Sequence, residues 1–350
     1  MSYPIPPAVS KGEINRIGIV LVANENDADA QKILNQWRGC HAYPINTFQV
    51  TLRDKVKKLS ISNALIAQRL KRMPTIIDKL RRYPAMNLVR MQDIGGLRVV
   101  VDKMSDVRKL EKSYKNPSKL SRSQHMLIGE KDYIENPRSE DGYRSLHLVY
   151  SYKNRLAPIY EGLLLELQIR TKLQHNWATA VETMGIYLNQ PLKSRLGEEE
   201  WLDFFALVSS AFAHIEKQPL VPRFAGLSKE DTFRQVANEE KKLKVLEKLS
   251  GFAAAANIIS KNRKNSFYHL IILNTKDRTI QLRSFAKLNF DAAQIAYAEA
   301  EKRAVDGEHI EPVLVAAGSI DSMKRAYPNF FLNTTEFIQK VREIITKVGK

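Results

Sequence analysis

The stretch DGYRSLHLVYSYKNRLAPIYEGLLLELQIRT, residues 141–171, decides the fold. From Leu163 to Arg170 its residues alternate, so that leucine and isoleucine side chains fall on one face of a strand and polar side chains on the other. The polar face carries Glu166, Gln168 and Arg170. Burying a carboxylate, an amide and a guanidinium without partners costs free energy, so this face is predicted to line a cleft.

A second carboxylate, Asp93, comes just before an apolar, strand-like run at Leu97–Val101. Two acids with an arginine near each suit a hydrated Mg²⁺ that holds phosphates. The pairs are Asp93 with Arg98 and Glu166 with Arg170. An ordinary ion-pair cluster on a sheet edge explains the same residues equally well, because exposed strands routinely carry charges. The spacing alone leaves both interpretations open.

The composition narrows the class of protein. At 350 residues the chain is long enough for two domains, and its net charge of +17 favours a polyanionic partner. The single cysteine, Cys40, excludes an intrachain disulfide and a cysteine metal cluster, and it fits a reducing cytosol. The N-terminus lacks a signal-peptide pattern, and the apolar run Ile17–Ala23 is too short to span a bilayer. We therefore expect a cytoplasmic protein without a membrane partner.

The predicted fold class is α+β, with a mixed β-sheet flanked by helices in a first domain, residues 1–216. The pattern from Thr47 to Leu80 reads as helical and basic, and Lys131 is expected in a loop. A proline- and glycine-punctuated stretch at 217–227 predicts a hinge. The remainder predicts a smaller C-terminal α+β domain, residues 228–350, with a hairpin, a further strand and three helices.

Four ordered motifs resemble the RelA/SpoT-type synthetases, pyrophosphokinases that move the β,γ-pyrophosphate of ATP onto a ribose 3′-hydroxyl. They are RLKRMPTIIDK at 69–79, DIGGLR at 93–98, KDYI at 131–134 with GYRSLH at 142–147, and ELQIRT at 166–171. Any one of these motifs alone is a weak signal. Their order along the chain makes the combined signal strong.

The resemblance implies a donor site for ATP. Arg69 and Arg98 would sandwich the adenine, because a planar, weakly hydrated guanidinium stacks on a π face. Lys71, Thr75 and Lys79 would reach the phosphates, where a lysine acts as a point charge. Mg²⁺ is the implied metal cofactor, and ATP is the pyrophosphate donor.

The resemblance also implies the catalytic pair and the acceptor site. Asp93 and Glu166 would hold Mg²⁺, and Glu166 would help to deprotonate the acceptor hydroxyl. Tyr143 would stack on the acceptor base, as aromatic side chains between basic groups do. The implied acceptor-binding residues are Lys131, Arg138, Tyr143, His147, Gln168 and Arg170. His147 lies in a predicted strand, so a structural histidine with satisfied hydrogen bonds is the alternative.

The C-terminal sequence AYPNFF, residues 326–331, predicts an aromatic turn that anchors the last helix in a core. A RelA/SpoT-type domain with this tail also resembles the CapRel-like fused toxin–antitoxin proteins of bacterial anti-phage defence. In those proteins a Tyr-x-x-Tyr element of the C-terminal domain covers the adenine site. The resemblance implies autoinhibition through Tyr327 and Phe330, with phenylalanine replacing the second tyrosine. It further implies activation by a phage protein, such as a capsid protein.

The same resemblance implies the 3′ end of tRNA as the acceptor. The charge of +17 favours it, and Lys115, Lys119 and Arg122 are predicted to contact tRNA phosphates, although a solvated loop explains them too. The stretch Val181–Gly185 departs from a Glu-His-Lys stretch usual in small synthetases, which puts their usual nucleotide product in question. A guanosine tetra- or pentaphosphate synthetase acting on GDP or GTP is the alternative. A non-catalytic RNA-binding module is disfavoured, since both carboxylates and the tyrosine are present.

Overall fold

The computed structural model describes residues 3–116, 125–188, 192, 197–246, 249, 268–274, 276–277, 279–316 and 334–348. Within these ranges the helices are α1 (Lys11–Ala23), α2 (Ala28–Gly39), α3 (Ala42–Lys58), α4 (Met73–Arg82), α5 (Met104–Lys115), α6 (Lys172–Leu188), α7 (Glu199–Glu216), α8 (Lys229–Leu243), α9 (Phe290–Val305) and α10 (Thr335–Val348). The strands are β1 (Leu65–Leu70), β2 (Gly95–Val101), β3 (Met126–Asp132), β4 (Leu146–Ser151), β5 (Leu164–Thr171), β6 (Tyr268–Asn274), β7 (Thr279–Phe285) and β8 (Ile310–Ala316).

Strands β1 to β5 form a sheet in the order β1-β2-β5-β4-β3. The predicted mixed sheet flanked by helices is confirmed, whereas the order of its strands was not predicted. β2 and β5 are parallel, whereas the neighbouring pairs around them are antiparallel. The apolar side chains of β5 are buried, and they belong to a core that also contains side chains of α1–α5. The alternation between Leu163 and Arg170 therefore reports a real difference between the two faces, and the polar face is left to form a site.

Two predictions of local structure are wrong. The stretch predicted to be helical from Thr47 to Leu80 is interrupted by β1, because Ser60 and Asn63 adopt left-handed conformations with φ of 53° and 57° that end the preceding helix. Lys131 lies on β3, not in a loop. Both strands lie at edges of the sheet, where exposed polar and basic side chains weaken the apolar pattern that marks a strand.

The C-terminal part of the chain contains a three-stranded sheet in the order β7-β6-β8, with α9 packed on it. Helices α8 and α10 do not belong to that unit. They share one hydrophobic core with α6 and α7. This core joins helices from both sides of residues 217–227, and the division of the chain there stays a prediction.

No helix in the described part of the chain is both long and apolar enough to cross a lipid bilayer.

Candidate functional site

The pairing of the main sheet brings the predicted site residues into two neighbouring rows across it. The first row is Arg69, Gly96 and Glu166, on β1, β2 and β5. The second row is Arg98, Gln168, His147 and Lys131, on β2, β5, β4 and β3. Directly paired residues present their side chains on the same face of a sheet, so both rows project toward one side. Four separate motifs of the sequence thereby meet on one surface.

A cavity of about 150 Å³ lies between this face and α6. Its lining includes these predicted site residues: Arg69, Lys71, Asp93, Arg98, Arg138, Tyr143, Glu166, Gln168 and Arg170. Ligand pockets usually enclose about 300–1,000 Å³. The space between the charged side chains of this wall lies below that range.

Asp93 lies in the turn before β2, and two lysines neutralise it. The Lys71 ammonium donates to Oδ2 at 2.8 Å, and the Lys79 ammonium donates to Oδ1 at 2.9 Å. Burial alone would raise the pKa of the Asp93 carboxyl, but the two lysines lower it below its usual range. Burial also lowers the pKa of Lys71, although Asp93 opposes that effect. The carboxylate is thus ionised, with both oxygens engaged by residues of the predicted donor site.

Glu166, His147 and Tyr143 form a continuous hydrogen-bonded chain. His147 Nδ1 lies 3.0 Å from Glu166 Oε1, and His147 Nε2 lies 2.9 Å from the Tyr143 hydroxyl. Burial would lower the pKa of His147, but Tyr143 and Glu166 raise it to about 9. The imidazole is therefore protonated at neutral pH. It links the carboxylate of the predicted catalytic pair to the tyrosine of the predicted acceptor site.

The second oxygen of Glu166 is also occupied, because the Gln168 amide donates to Oε2 at 2.7 Å. Burial would raise the pKa of Glu166, but His147 and this amide lower it, so the carboxyl is ionised. The negative charge of Asp93 works in the opposite direction and raises the pKa. The two carboxylates therefore lie close enough to repel each other.

That repulsion provides the test of whether the site suits a magnesium ion. Mg²⁺ binds through one or two carboxylates together with substrate phosphates. Asp93 and Glu166 form such a pair, since a cation between them relieves their repulsion. Among the described residues, no cluster of three or more His, Cys, Asp and Glu side chains could hold a metal without a substrate. The site fits a magnesium ion that arrives with its nucleotide.

The ring of Tyr143 is held from several sides. The Arg138 guanidinium lies 4.3 Å from the ring centroid, and Arg138 pairs with Asp141 at 2.8 Å. Asp141 Oδ1 also accepts from the Tyr143 N–H at 2.9 Å. One face of Tyr143, the ring predicted to stack on the acceptor base, is thus covered by Arg138. A base stacks there only if the arginine moves, or it uses the opposite face.

Arg170 is almost fully buried, and its burial, followed by the charge of Arg98, lowers its pKa well below the usual value. It contacts His175 on α6. Four predicted donor- and acceptor-site residues are not among those that line the cavity: Thr75, Lys79, Lys131 and His147. Lys79 and His147 contact its wall through Asp93 and Glu166. Thr75 is half-buried on α4, and Lys131 is exposed on β3 at the end of its row. Their predicted contacts with nucleotides stay predictions.

The predicted tRNA contacts fall in and beside a stretch that is only partly described. The Lys115 ammonium lies 2.9 Å from Glu130 and 3.3 Å from Glu111, so two acids offset its charge. Lys119 and Arg122 lie outside the described residues. The predicted inhibitory residues Tyr327 and Phe330 lie outside them as well.

Sequence reasoning gave no role to three residues that line the cavity, Asp141, Trp177 and Glu182. Asp141 begins the stretch quoted at the outset, and an acid before glycine is a signal for a loop-closing side chain. Trp177, on α6, has two kinds of contact, since its indole N–H donates to Phe205 O at 2.7 Å while the ring lines the cavity.

The departure at Val181–Gly185 lies on α6. Val181 and Glu182 line the cavity. Thr183 and Met184, the next two positions, are fully buried away from solvent. Part of the altered stretch thus belongs to the cavity wall, and its predicted bearing on the product stays a prediction.

Comparison with known proteins agrees with this geometry. Residues 68–191 match the family model described as a region found in RelA/SpoT proteins. This part of the chain is thus similar to a RelA/SpoT-type region, and the predicted resemblance is confirmed at that level. The matched residues begin within β1 and extend beyond α6, so they contain the end of β1 and all of β2 to β5.

Two curated relatives are similar over the same region. The GTP pyrophosphokinase YjbM of Bacillus subtilis is 32% identical over 122 residues, which are 34% of this chain and 55% of the relative. The GTP pyrophosphokinase YwaC of Bacillus subtilis is 29% identical over 136 residues, which are 37% of this chain and 62% of the relative. The chain thus spans between half and two thirds of the length of these relatives.

Solved structures are similar as well. Small alarmone synthetase 1 from Bacillus subtilis is 23% identical with a TM-score of 0.41, and the match covers 51% of this chain and 88% of that one. A GTP pyrophosphokinase family protein from Streptococcus pneumoniae is 23% identical with a TM-score of 0.40, covering 51% and 86%.

Proposed function

We propose that this protein is a Mg²⁺-dependent pyrophosphokinase, which transfers the β,γ-pyrophosphate of ATP to a ribose 3′-hydroxyl. The observation that carries the proposal is the ionised pair Asp93 and Glu166, on and beside adjacent parallel strands at one cavity wall. Positive charge surrounds both acids. The names of the curated relatives support the same reaction.

The charges of the wall suggest how each residue serves this reaction. Lys71 and Lys79, which neutralise Asp93 in this structure, would turn to the ATP phosphates, and Mg²⁺ would neutralise charge on the transferred group. Arg69 and Arg98 would stack on the adenine. Glu166, held ionised by His147, would accept the hydrogen bond of the attacking hydroxyl and then its proton.

The proposed acceptor is the 3′ end of tRNA, so that the reaction blocks translation. The net charge of +17 supports it, because each phosphate that a protein neutralises adds affinity through counterion release. GDP or GTP is the second candidate. The relatives named GTP pyrophosphokinases support it.

The experiment uses full-length protein and ATP labelled in its β and γ phosphates, with tRNA in one reaction and GDP plus GTP in another. Label on tRNA supports the first acceptor, and label on a guanosine nucleotide supports the second. Asp93→Asn and Glu166→Gln should each abolish transfer without changing the circular dichroism. Asp102→Asn is the matched control, because Asp102 follows β2 at its other end and contacts Asn63 instead. The same reactions are run with Glu301→Ala, which breaks the contact between α9 and α4. No transfer to either acceptor at saturating Mg²⁺, by the full-length protein and by Glu301→Ala alike, would overturn the proposal.

We further propose that the C-terminal domain keeps the enzyme inactive at rest and that a phage protein releases it. One contact supports the inhibition at rest: Glu301 of α9 accepts from the N–H of Met73 at 3.1 Å. Met73 is the first residue of α4, the helix that carries Lys79. Glu301 can therefore influence how the donor side of the cavity opens.

Expression in cells tests this regulation. The full-length protein should leave growth unchanged without phage and arrest it during infection, whereas the Asp93→Asn variant should not arrest growth in either condition. Growth arrest by the full-length protein without phage would contradict rest-state inhibition. Protection that persists in the Asp93→Asn variant would show that the defence does not depend on pyrophosphate transfer.

A further inference from the structure

We propose that Ser209, on α7, is a positioning residue for the acceptor loop, defined here as Arg138–Tyr143. The inference rests on the proposed pyrophosphate transfer and extends it to a part of the chain beyond the RelA/SpoT-type region, which ends at residue 191. Ser209 would act through the backbone of the loop and would not touch the acceptor.

The Ser209 hydroxyl joins the two ends of a short network. Its Oγ donates to the carbonyl oxygen of Gly142 at 2.6 Å and accepts from Arg144 Nε at 2.9 Å. Arg144 in turn donates from NH1 to the carbonyl oxygen of Ile134 at 3.1 Å. Ser209 and Arg144 are 2% and 3% exposed, so water does not compete for these bonds. The Ser209 hydroxyl thus binds Gly142 at the end of the loop directly, and it is linked through Arg144 to Ile134 in the segment before the loop.

The backbone of the loop lies directly on α7 at this point. Gly142 has φ of +78°, and a Cβ there would come within 2.8 Å of Ser209 Cβ and 2.9 Å of Ala206 Cα. Only glycine permits this conformation and this close approach without strain. This close approach fixes how near the loop backbone lies to α7, and the Ser209 hydrogen bond fixes its position along the helix.

The next residue along the chain, Tyr143, transmits that register to the site. Its hydroxyl meets His147, and its ring lies under Arg138. A shift of Gly142 moves both of these contacts, because the peptide plane joins the two residues. The position of the ring that is proposed to stack on the acceptor base is thus fixed from behind by α7.

A hydrogen bond from a second residue outside the RelA/SpoT-type region supports the same conclusion. Arg223, in the short 3-10 turn after α7, donates to the carbonyl oxygen of Glu140 at 3.2 Å and pairs with Asp203 on α7. The acceptor loop is therefore held at Glu140 and at Gly142. Both supports come from residues that follow the RelA/SpoT-type region.

The test compares Ser209→Ala with Ser210→Ala in the full-length protein. Ser210 is the neighbouring buried serine, and its Oγ accepts from the Val221 N–H at 3.2 Å, away from the loop. Each variant loses one buried hydroxyl from α7. We expect Ser209→Ala to raise KM for the acceptor about fivefold to twentyfold, with kcat and KM for ATP nearly unchanged, because one buried hydrogen bond is lost. Ser210→Ala should leave KM for the acceptor as it is.

Hydrogen exchange gives a second readout that does not need activity. The amides of residues 138–143 should exchange faster in Ser209→Ala only. Equal changes in both variants would show a general loosening of α7 and would overturn the proposal. Unchanged exchange in Ser209→Ala would overturn it as well. If neither the wild-type protein nor its Glu301→Ala variant transfers pyrophosphate to either acceptor, the proposed function fails, whereas the exchange comparison still decides the role of Ser209 in holding the loop.

Discussion

Two contacts between the C-terminal part of the chain and the rest of the molecule differ in their chemistry. In the helical contact, α8 and α10 bury apolar side chains against α6 and α7. In the Glu301 contact, one carboxylate on α9 accepts from Met73 N–H at 3.1 Å, Arg38 at 3.2 Å and the Tyr297 hydroxyl at 2.7 Å. Arg38 lies on α2 and Met73 lies on α4, so this carboxylate connects α9 to two other helices. Glu301 is only 2% exposed.

The difference indicates which contact is permanent. Apolar burial gains free energy in proportion to area and needs no exact geometry, so the helical contact resists small displacements. A buried ion pair gains little net free energy, because desolvation offsets the attraction, and it depends strongly on geometry. The C-terminal part is therefore anchored by its helices on the acceptor side of the cavity. It is attached through a breakable polar contact on the donor side.

The largest expected effect comes from breaking the helical contact. Phe337 on α10 is fully buried, with its ring 6.1 Å from Phe205 and 5.9 Å from Phe212. Phe337→Ala should lower the free energy of unfolding by about 3–5 kcal/mol, through lost burial and the cavity left behind. Chemical denaturation followed by circular dichroism measures it. Val348→Ala, at the exposed end of the same helix, is the control, and an equal loss there would contradict a localised contact.

The next effect comes from breaking the Glu301 contact. Glu301→Ala leaves the Arg38 guanidinium and the Met73 N–H without this acceptor, which should cost about 1–3 kcal/mol, since opening of the contact lets water reach Arg38. Exchange of the first amides of α4 should accelerate, and ATP affinity should rise if the contact restrains the donor side. Glu299→Ala, an exposed change on the same helix, is the control. Unchanged exchange at α4 would show that this contact is as permanent as the helical one.

A pH titration of stability tests His147, a residue of the site that takes part in neither of these two contacts. The folded pKa of His147 is raised to about 9 from an ordinary 6.5, so its stabilising contribution is complete below pH 6.5 and is lost as the pH rises through 9. We expect the free energy of unfolding to fall by about 1–2 kcal/mol across this window. His147→Gln should remove the slope, and Glu301→Ala should retain it. If Glu301→Ala also lost this dependence of stability on pH, the protonation of His147 would be coupled to the Glu301 contact.

The smallest expected effect lies at the rim of the helical contact. Lys172 on α6 pairs with Glu336 on α10 at 2.8 Å, and both side chains are 50% exposed. Exposed ion pairs contribute little, so Lys172→Ala should lower the free energy of unfolding by about 0.2–1 kcal/mol at most. Measurements at low and high salt should agree closely for this variant. A loss comparable to that of Phe337→Ala would show that charge, not apolar burial, holds α10 in place.

The sequence predicted the central strand of the site because its pattern is local. The leucines of β5 alternate with Glu166 and Gln168, and a period of two residues is visible without any knowledge of neighbours. Strand β1 was missed for a related reason. Its short run Leu65–Leu70 lies between two basic helices, and an edge strand buries less of each face.

Long-range partners could not be predicted. Glu301 is one acid in an alanine-rich helix, and its partners Arg38 and Met73 lie more than 200 residues earlier in the chain. Ser209 likewise gives no local signal, since a serine in a helix is usually solvated or bonded within its own turn. The site residues were predicted because a motif resemblance supplied their roles. The residues that position them were not, because no motif contains them.

The parallel pairing of β2 with β5 also bears on how the protein is made. These strands are joined by α5, β3 and β4, so Gly96 meets Glu166 only when the long segment between them closes into a loop. Pairings between distant parts of a chain form slowly, because closing the loop costs conformational entropy before any contact contributes stability. On the ribosome, Asp93 emerges long before Glu166, and Ser209 emerges later still. A nascent chain that has not yet released Glu166 therefore carries only one acid of the carboxylate pair, and the acceptor loop lacks its Ser209 hydrogen bond until α7 has emerged as well.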